Sequence, residues 1–537
     1  MKCKPQIPTL IIRAALLFSF PLLVEAVTTN ITLDGSLGGR SGPVTLNNGN
    51  YAITADMGKQ RGGNLFHSFG QFTVGTGDTA QFSGPSSVSN IIGRVTGGNL
   101  SEIDGTLSST IPGANLFLLN PAGFLFGANA SLNIPGAFHA STGDYLSLSD
   151  GARFYVSPTA NSAMTIAAPS SFGFLSNANH GDISLEGAQL QSTPNYSISF
   201  SAGNINLTNL ARVSAPGAAI NITAVGNTSS GNDVKVNVTD GMLSAKPGGN
   251  VLIDKISVVG YNDFWNDYRG LSSSGVSDGP IRIRGGAITV QNGSAVLSKN
   301  VSDLVNGEPI TIQGGIVSVK SGSEIYSTTT AIGAASNVAV VADSLTIDGI
   351  GNTSTKSWVG TELIENTGNR ARISSNTPEV GRTGNSGNVS VTVFGKAELL
   401  NNGGVNASTF NEIGNAGSID VIVDGGSLTI DGSGIASNAG ESTTDSSHGG
   451  NVMVLVRRGP LTLTNQGYIS SGTVSAGDAG IVKVQADGAL SIDSGGSIKS
   501  FTTSTGDAGM VKIQANGPLT IDGGGSINLT IRYRNHA

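Results

Sequence analysis

Short runs in which apolar and polar residues alternate recur along the chain, separated by glycine, asparagine, serine and aspartate. In NLFLLNPAGFLFGANASLNIPGAFHAST, residues 115–142, the pairs Leu116/Leu118, Phe124/Phe126 and Leu132/Ile134 each stand two apart. Residues two apart share one face of a strand, so each pair predicts a short strand with one buried side. Connections rich in Asn, Pro, Gly and Ala join these strands, and such residues supply turns.

From residue 248 onward the pattern becomes a repeat. Gly387, Gly417, Gly450, Gly480 and Gly509 each precede an apolar strand, at spacings of 30, 33, 30 and 29 residues. Aligned on them, Val389/Val391/Val393 corresponds to Ile419/Val421/Val423, Val452/Val454/Val456, Val482/Val484/Ala486 and Val511/Ile513/Ala515. A second strand follows at Leu428/Ile430, Leu461/Leu463, Leu490/Ile492 and Leu519/Ile521, and a third begins at Ile435, Ile469, Ile498 and Ile527. Gly249, Gly279 and Gly307 read as the starts of earlier, less regular copies. One such unit cannot bury its apolar side alone, whereas stacked copies can. If each unit is one coil, neighbouring coils lie about 4.7–4.9 Å apart and the triplets become an inward ladder. The expectation is an all-β chain wound as a right-handed parallel β-helix, or β-solenoid, with the hand set by the crossover rule. A β-propeller would need longer, four-stranded blades and recurring aromatics, which these repeats lack.

Two stretches interrupt the rhythm. VVGYNDFWNDYRG, residues 258–270, gathers Tyr261, Phe264, Trp265 and Tyr268 in a chain that is only 5% aromatic. Residues 350–383 hold Trp358 and a charged cluster. Both are expected to leave the coil. The aromatics of the first suit either a ligand loop for sugar or protein, or a lid packed on the side of the coil.

Composition supports this reading. Seventy-seven glycines with abundant β-branched residues argue for many strands and turns, and 38% apolar content argues against disorder. A net charge of -7 provides no basic surface for nucleic acid. Lys2, Lys4 and Arg13 precede the apolar stretch Ala14–Val24, and Val24-Glu25-Ala26 offers a small residue for cleavage, so residues 1–26 read as a signal peptide. Arg13 and Pro21 disfavour a membrane anchor there, and no later segment is apolar enough to span a bilayer as a helix. The one cysteine, Cys3, lies within that signal, which leaves the mature chain free of disulfides and threadable.

Three blocks then carry a resemblance. GGNLFHSFGQFTV (62–74), SNIIGRVTGGNLSEIDGTL (89–107) and residues 115–142, in that order, are similar to the N-terminal secretion domain of the filamentous haemagglutinin family. FGFLS at 172–176 and GGNV at 248–251 fit its continuation. The resemblance covers about residues 27–250; residues 251–537 share only the repeat style and read as a stalk. It implies a secreted, surface-associated exoprotein, an adhesin or haemagglutinin, that passes through the periplasm. Its partner would be an outer-membrane two-partner-secretion transporter of the Omp85 type, with host or neighbour-cell glycans or proteins as further partners. Asn120, Pro121 and Gly123 match the family's NPNG-type turn, with Ala122 in place of the second Asn; the NPNL-type motif is not found in that form. The turn is expected either to shape a coil or to contact the transporter. Contact-dependent competition would require a toxin module, and none is read before the terminal INLTIRYRNHA. The final repeat also lacks an obvious polar cap, so further chain or a partner is expected to cover it.

The alternative is an extracellular polysaccharide-degrading enzyme, since such enzymes also use β-helices. It would need clustered carboxylates, sometimes with calcium. Asp431, Asp493 and Asp522 follow equivalent second strands, but aspartate as a turn residue accounts for them. The G-G-x-G-x-D calcium repeat does not occur. His67 and His139 stand far apart without a second ligand at metal spacing and read as structural. No catalytic residue, metal or cofactor is therefore expected, and the Asn-x-Ser/Thr triplets are those that chance supplies in so Asn- and Ser-rich a chain.

Overall fold

The computed structural model describes residues 27–531, apart from 48, 229–230, 256, 260–278, 351–355, 360–361, 366–370, 378–383, 410–413 and 441–445. The signal peptide expected at 1–26 and the aromatics Tyr261, Phe264, Trp265 and Tyr268 lie outside the described residues.

Each coil contributes a strand to each of three faces, and the strands pair in parallel with those of the next coil. On the first face Ile220, Ile281, Ile310, Val338, Val389, Ile419, Val452, Val482 and Val511 stand in register. The second face stacks Leu345, Ala397, Leu428, Leu461, Leu490 and Leu519. On the third, Leu190, Val213, Val259, Val296, Ile325, Ile373, Val405, Ile435, Ile469, Ile498 and Ile527 form one column. Up to Ile498 these residues point inward and belong to one buried core that starts at Ile31, whereas in the last coil Val511 and Ile527 are partly buried and Leu519 is exposed. The fold is a parallel β-helix, and the register is the one the glycine-aligned triplets predict.

The glycines that open each repeat have a steric cause. A Cβ on Gly417 would overlap the carbonyl oxygen of Gly387, and Gly450, Gly480 and Gly509 repeat the relation coil by coil. Facing this corner is a buried serine column, Ser298, Ser327, Ser375, Ser437, Ser471 and Ser500. The N–H groups of Gly387, Gly450 and Gly480 donate to the hydroxyls of Ser375, Ser437 and Ser471 at 2.8, 3.0 and 2.8 Å. The Ser437 hydroxyl donates in turn to the Gly417 carbonyl at 2.7 Å. Backbone groups at the tight corner are thereby satisfied without water.

Not every copy starts where its glycine suggests. Gly279 precedes a first-face strand, but Gly249 precedes Asn250–Ile253, which pairs on the second face with Ile205–Leu207. The chain makes a long detour between the two faces of that coil, so this glycine stands at a different corner. Strands Ile281–Val290, Ile310–Lys320 and Val338–Asp348 each run through two faces without a break. Within residues 350–383, Lys356–Val359 and Glu362–Glu365 pair antiparallel in a two-stranded sheet of their own.

At the N-terminal end Asn30–Asp34 runs antiparallel to both Asn64–Thr73 and Ser41–Pro43. This closes the first coil and removes an open edge.

Two larger excursions, unread in the sequence, leave near residues 142–182 and 225–249. Tyr145–Leu148, Arg153–Tyr155, Pro169–Phe174 and Val234–Asn237 form one antiparallel sheet from them. This lid sheet covers the outward side of the first coils. Phe66, Ile92, Phe117 and Leu119 point out from the coil and bury against Leu146, Phe154, Phe172, Phe174 and Val236 in a second core. NLFLL and NIIGRV are therefore apolar on both sides, as strands covered on two faces must be.

Candidate functional site

The turn at residues 120–123 joins a first-face strand to a second-face strand beneath the lid. The N–H of Gly123 donates to the Asn120 carbonyl at 2.9 Å, and Gly123 has φ +113°, a conformation that a side chain resists. Asn120 is fully buried. Its Nδ2 donates to the Asn99 carbonyl at 2.8 Å and to the Ser101 hydroxyl at 2.9 Å, and its Oδ1 accepts the N–H of Ala122 at 3.0 Å. The Pro121 carbonyl accepts the N–H of Gly181 at 2.8 Å, tying the turn to the next coil. Asn120 and Gly123 thus shape the folded coil, while Pro121 remains half-exposed.

A cleft of about 500 Å³ separates this turn from the lid, lined by Thr96, Pro121, Asp144, Tyr155, Pro158 and Leu175 among others. Below it lies a polar clasp that the sequence reading missed. Arg94, 2% exposed, donates from Nε to the Ser68 hydroxyl and from Nη2 to the Ser36 hydroxyl, both at 2.8 Å. Its Nη1 reaches the Tyr155 carbonyl and the Ser162 hydroxyl, and its guanidinium lies 4.6 Å from the centre of the Phe154 ring. Asp34 completes the clasp by accepting from Ser36, Ser68 and Thr96 at 2.7–2.8 Å. Burial pushes the Asp34 carboxyl up, but these donors outweigh it and hold the group below its ordinary range. One cation thereby ties the N-terminal cap, two coils and the lid together. The only hint in the sequence was a charge placed within NIIGRV.

Asn64, Asn90 and Asn115 form a second tie. Each amide donates to the preceding one at 2.9 and 3.0 Å, and Asn64 Nδ2 donates to the Thr165 and Ala167 carbonyls at 3.0 and 2.7 Å. At the feet of the excursions His180 Nδ1 stands 3.5 Å from the Asp144 carboxylate.

His67 and His139 are buried, and burial lowers each to about 4, so both are neutral near pH 7. His67 stacks with Phe69, and His139 lies 4.4 Å from Phe117 under the lid. They do not meet. Asp431 accepts from Asn465 Nδ2 at 2.7 Å, while Asp493 and Asp522 accept backbone N–H groups of Ser494 and Gly523 at 2.6 and 2.7 Å. These carboxylates are engaged within the turns of the coil. Among the described residues no three His, Cys, Asp or Glu side chains gather as a metal site.

Comparison with known proteins adds one informative match. Residues 29–255 match the family model described as the TPS secretion domain. No curated protein matches the chain. Among solved structures, the HMW1 secretion domain from Haemophilus influenzae aligns over 92% of this chain and 98% of that one, at 14% identity and a TM-score of 0.34.

Proposed function

We propose that the chain, whose residues 29–255 match the TPS secretion domain model, is a two-partner-secretion exoprotein and a surface adhesin exported through an Omp85-type outer-membrane transporter. Residues 27–250 act as the recognised domain, and the repeats of 251–537 act as a stalk that presents adhesive surfaces. The family match over the first part of the chain carries this reading.

Physical chemistry supports the export step. Before the coils stack, each short strand exposes free N–H and C=O groups that add to the edge of a partner's sheet. Once outside, each coil buries an apolar row against the one before it, which makes return unfavourable. Because Asn120 and Gly123 turn inward in the folded coil, transporter contacts through this turn belong to the extended chain. Recognition and folding then use the same residues in succession.

The test compares medium and periplasm from cells that make the full chain with and without a co-expressed two-partner transporter. Appearance in the medium only with the transporter supports the proposal. Retention in both cases, with a transporter shown to export its own substrate, counts against this pairing and reopens the reading of a periplasmic β-helix.

A further inference from the structure

The two excursions that build the lid leave the coils and return to them, and three of these crossings meet at one buried ring. Asp144 stands where the first excursion leaves, Leu175 and Asn177 where it returns, and Thr228 where the second leaves. His180 lies between them with no side-chain surface exposed. Its Nδ1 is 3.5 Å from the Asp144 carboxylate and makes no hydrogen bond, and its Nε2 is 3.4 Å from the Thr228 hydroxyl. Phe174 of the lid meets the ring edge-on at 4.9 Å. The crossings are also bonded to one another. The Leu175 N–H donates to that same Asp144 oxygen at 2.8 Å, and the Asn177 N–H donates to the Thr228 carbonyl at 3.1 Å.

A second buried ring lies under the sheet. His139 stands beside Phe117 on the outward side of the coil, is only 5% exposed, and its Nδ1 has no partner. Phe117 in turn packs on Phe172 of the lid, ring centres 6.3 Å apart. Among the described residues Asp144 is the one charged group that bears on His180, and none bears on His139. Asp182, two residues beyond His180, accepts the N–H and Nδ2 of Asn204. Arg94 and Asp34 are engaged in the clasp, and Arg153 pairs with Asp233 at 3.2 Å.

A proton added to an imidazole under apolar cover creates a charge with neither water nor a full partner. At His180 the nearest carboxylate oxygen is already taken by the Leu175 N–H, and at His139 there is no carboxylate. Burial accordingly holds both rings below their ordinary value, at His180 against the pull of Asp144 and the Leu175 backbone. Both rings reach water once the lid lifts, so the open form binds protons more tightly than the closed one. The closed form is therefore fully favoured above the ordinary value of 6.5 and loses ground as pH falls toward 4. We propose that the lid is an acid-released cover: a proton on His139 beneath it or on His180 at its feet lifts it from the first coils, which stay wound. Those coils keep their own parallel ladders, and release bares the apolar side chains of Phe66, Ile92, Phe117 and Leu119. The inference rests on the fold and not on the export reading, so loss of secretion would leave it standing.

The experiment follows hydrogen exchange in the purified full chain at pH 7 and pH 5, corrected for the intrinsic pH dependence of exchange. Tyr145–Leu148 and Pro169–Phe174 are expected to lose about twentyfold in protection through His139 alone, and more with His180. Ile205–Thr208 and Ile419–Asp424, outside the lid, should change little. An apolar dye should bind at pH 5 and not at pH 7. His139→Leu combined with His180→Gln is expected to keep the lid equally protected at both pH values and to abolish the dye signal. Should that combination leave the lid unprotected at pH 7, His139→Leu alone carries the test, and is expected to shrink the loss by about twentyfold. Equal lid protection at pH 7 and pH 5, protection that rises at pH 5 as His180 closes on Asp144, an equal loss in Ile205–Thr208, or an undiminished loss in the variants would overturn the proposal.

Discussion

A methyl group on Gly450 would overlap the Gly417 carbonyl oxygen and press on the Ser437 hydroxyl. Gly450→Ala is therefore expected to cost about 3 kcal/mol, read as a lower urea midpoint. Leu210 presents the opposite case. It holds φ +67° while 39% exposed, a conformation that strains a branched residue. Leu210→Gly is expected to stabilise the fold by about 1 kcal/mol in the same measurement. The buried histidines set a pH dependence. Unfolded, His67 and His139 titrate near 6.5; folded, near 4, so between these values the unfolded chain binds more protons. Stability is full above the unfolded value and falls as pH drops toward 4, by on the order of 3 kcal/mol per histidine. Urea midpoints from pH 7 to pH 4 test this, and His139→Leu should flatten the slope. A constant midpoint would show that the rings find partners when charged.

At the scale of the element, a single cation adds the polar tie between the lid, the N-terminal cap and the coils. Arg94→Met removes the bonds to Tyr155 and Ser162 and the contact with Phe154, and is expected to cost about 3 kcal/mol. Hydrogen exchange should rise in Tyr145–Leu148 and Arg153–Tyr155 but not in Ile419–Asp424. The stalk was legible because its signal is local and repeated: Val452 predicts its own neighbours in Ile419 and Val482. The lid was not, because its strands lack a repeat and pair residues as far apart as Phe172 and Val236. Phe117 and Ile92 did carry a trace of it, since an apolar residue on the outward side of a coil requires a cover. The turn at Asn120, Pro121 and Gly123 was visible as a turn from residue chemistry alone. That the Asn120 side chain faces inward could only be learned from the coil that surrounds it.

At the scale of the molecule, similar coils in a common register should be removable as whole units. Deletion of residues 450–479, one full coil, lets Val482 stack on Ile419 and is expected to leave a folded, cooperative protein by circular dichroism. Deletion of residues 450–464 removes two strands of three and should aggregate. The outcome separates a chain of near-equivalent coils from one whose stalk folds as a single block. The direction of the ladders has a further consequence. Bonds between coils point along the axis of the helix, so tension on the two ends opens a coil strand by strand instead of shearing a whole sheet. Each coil of about 30 residues would release about 100 Å of chain as it peels. The first coils behave differently, since the lid and Arg94 bind several of them side by side and must yield together. Under load the molecule is a ratcheted tether with one stiff end, shedding its stalk a coil at a time while the clasped end stays closed.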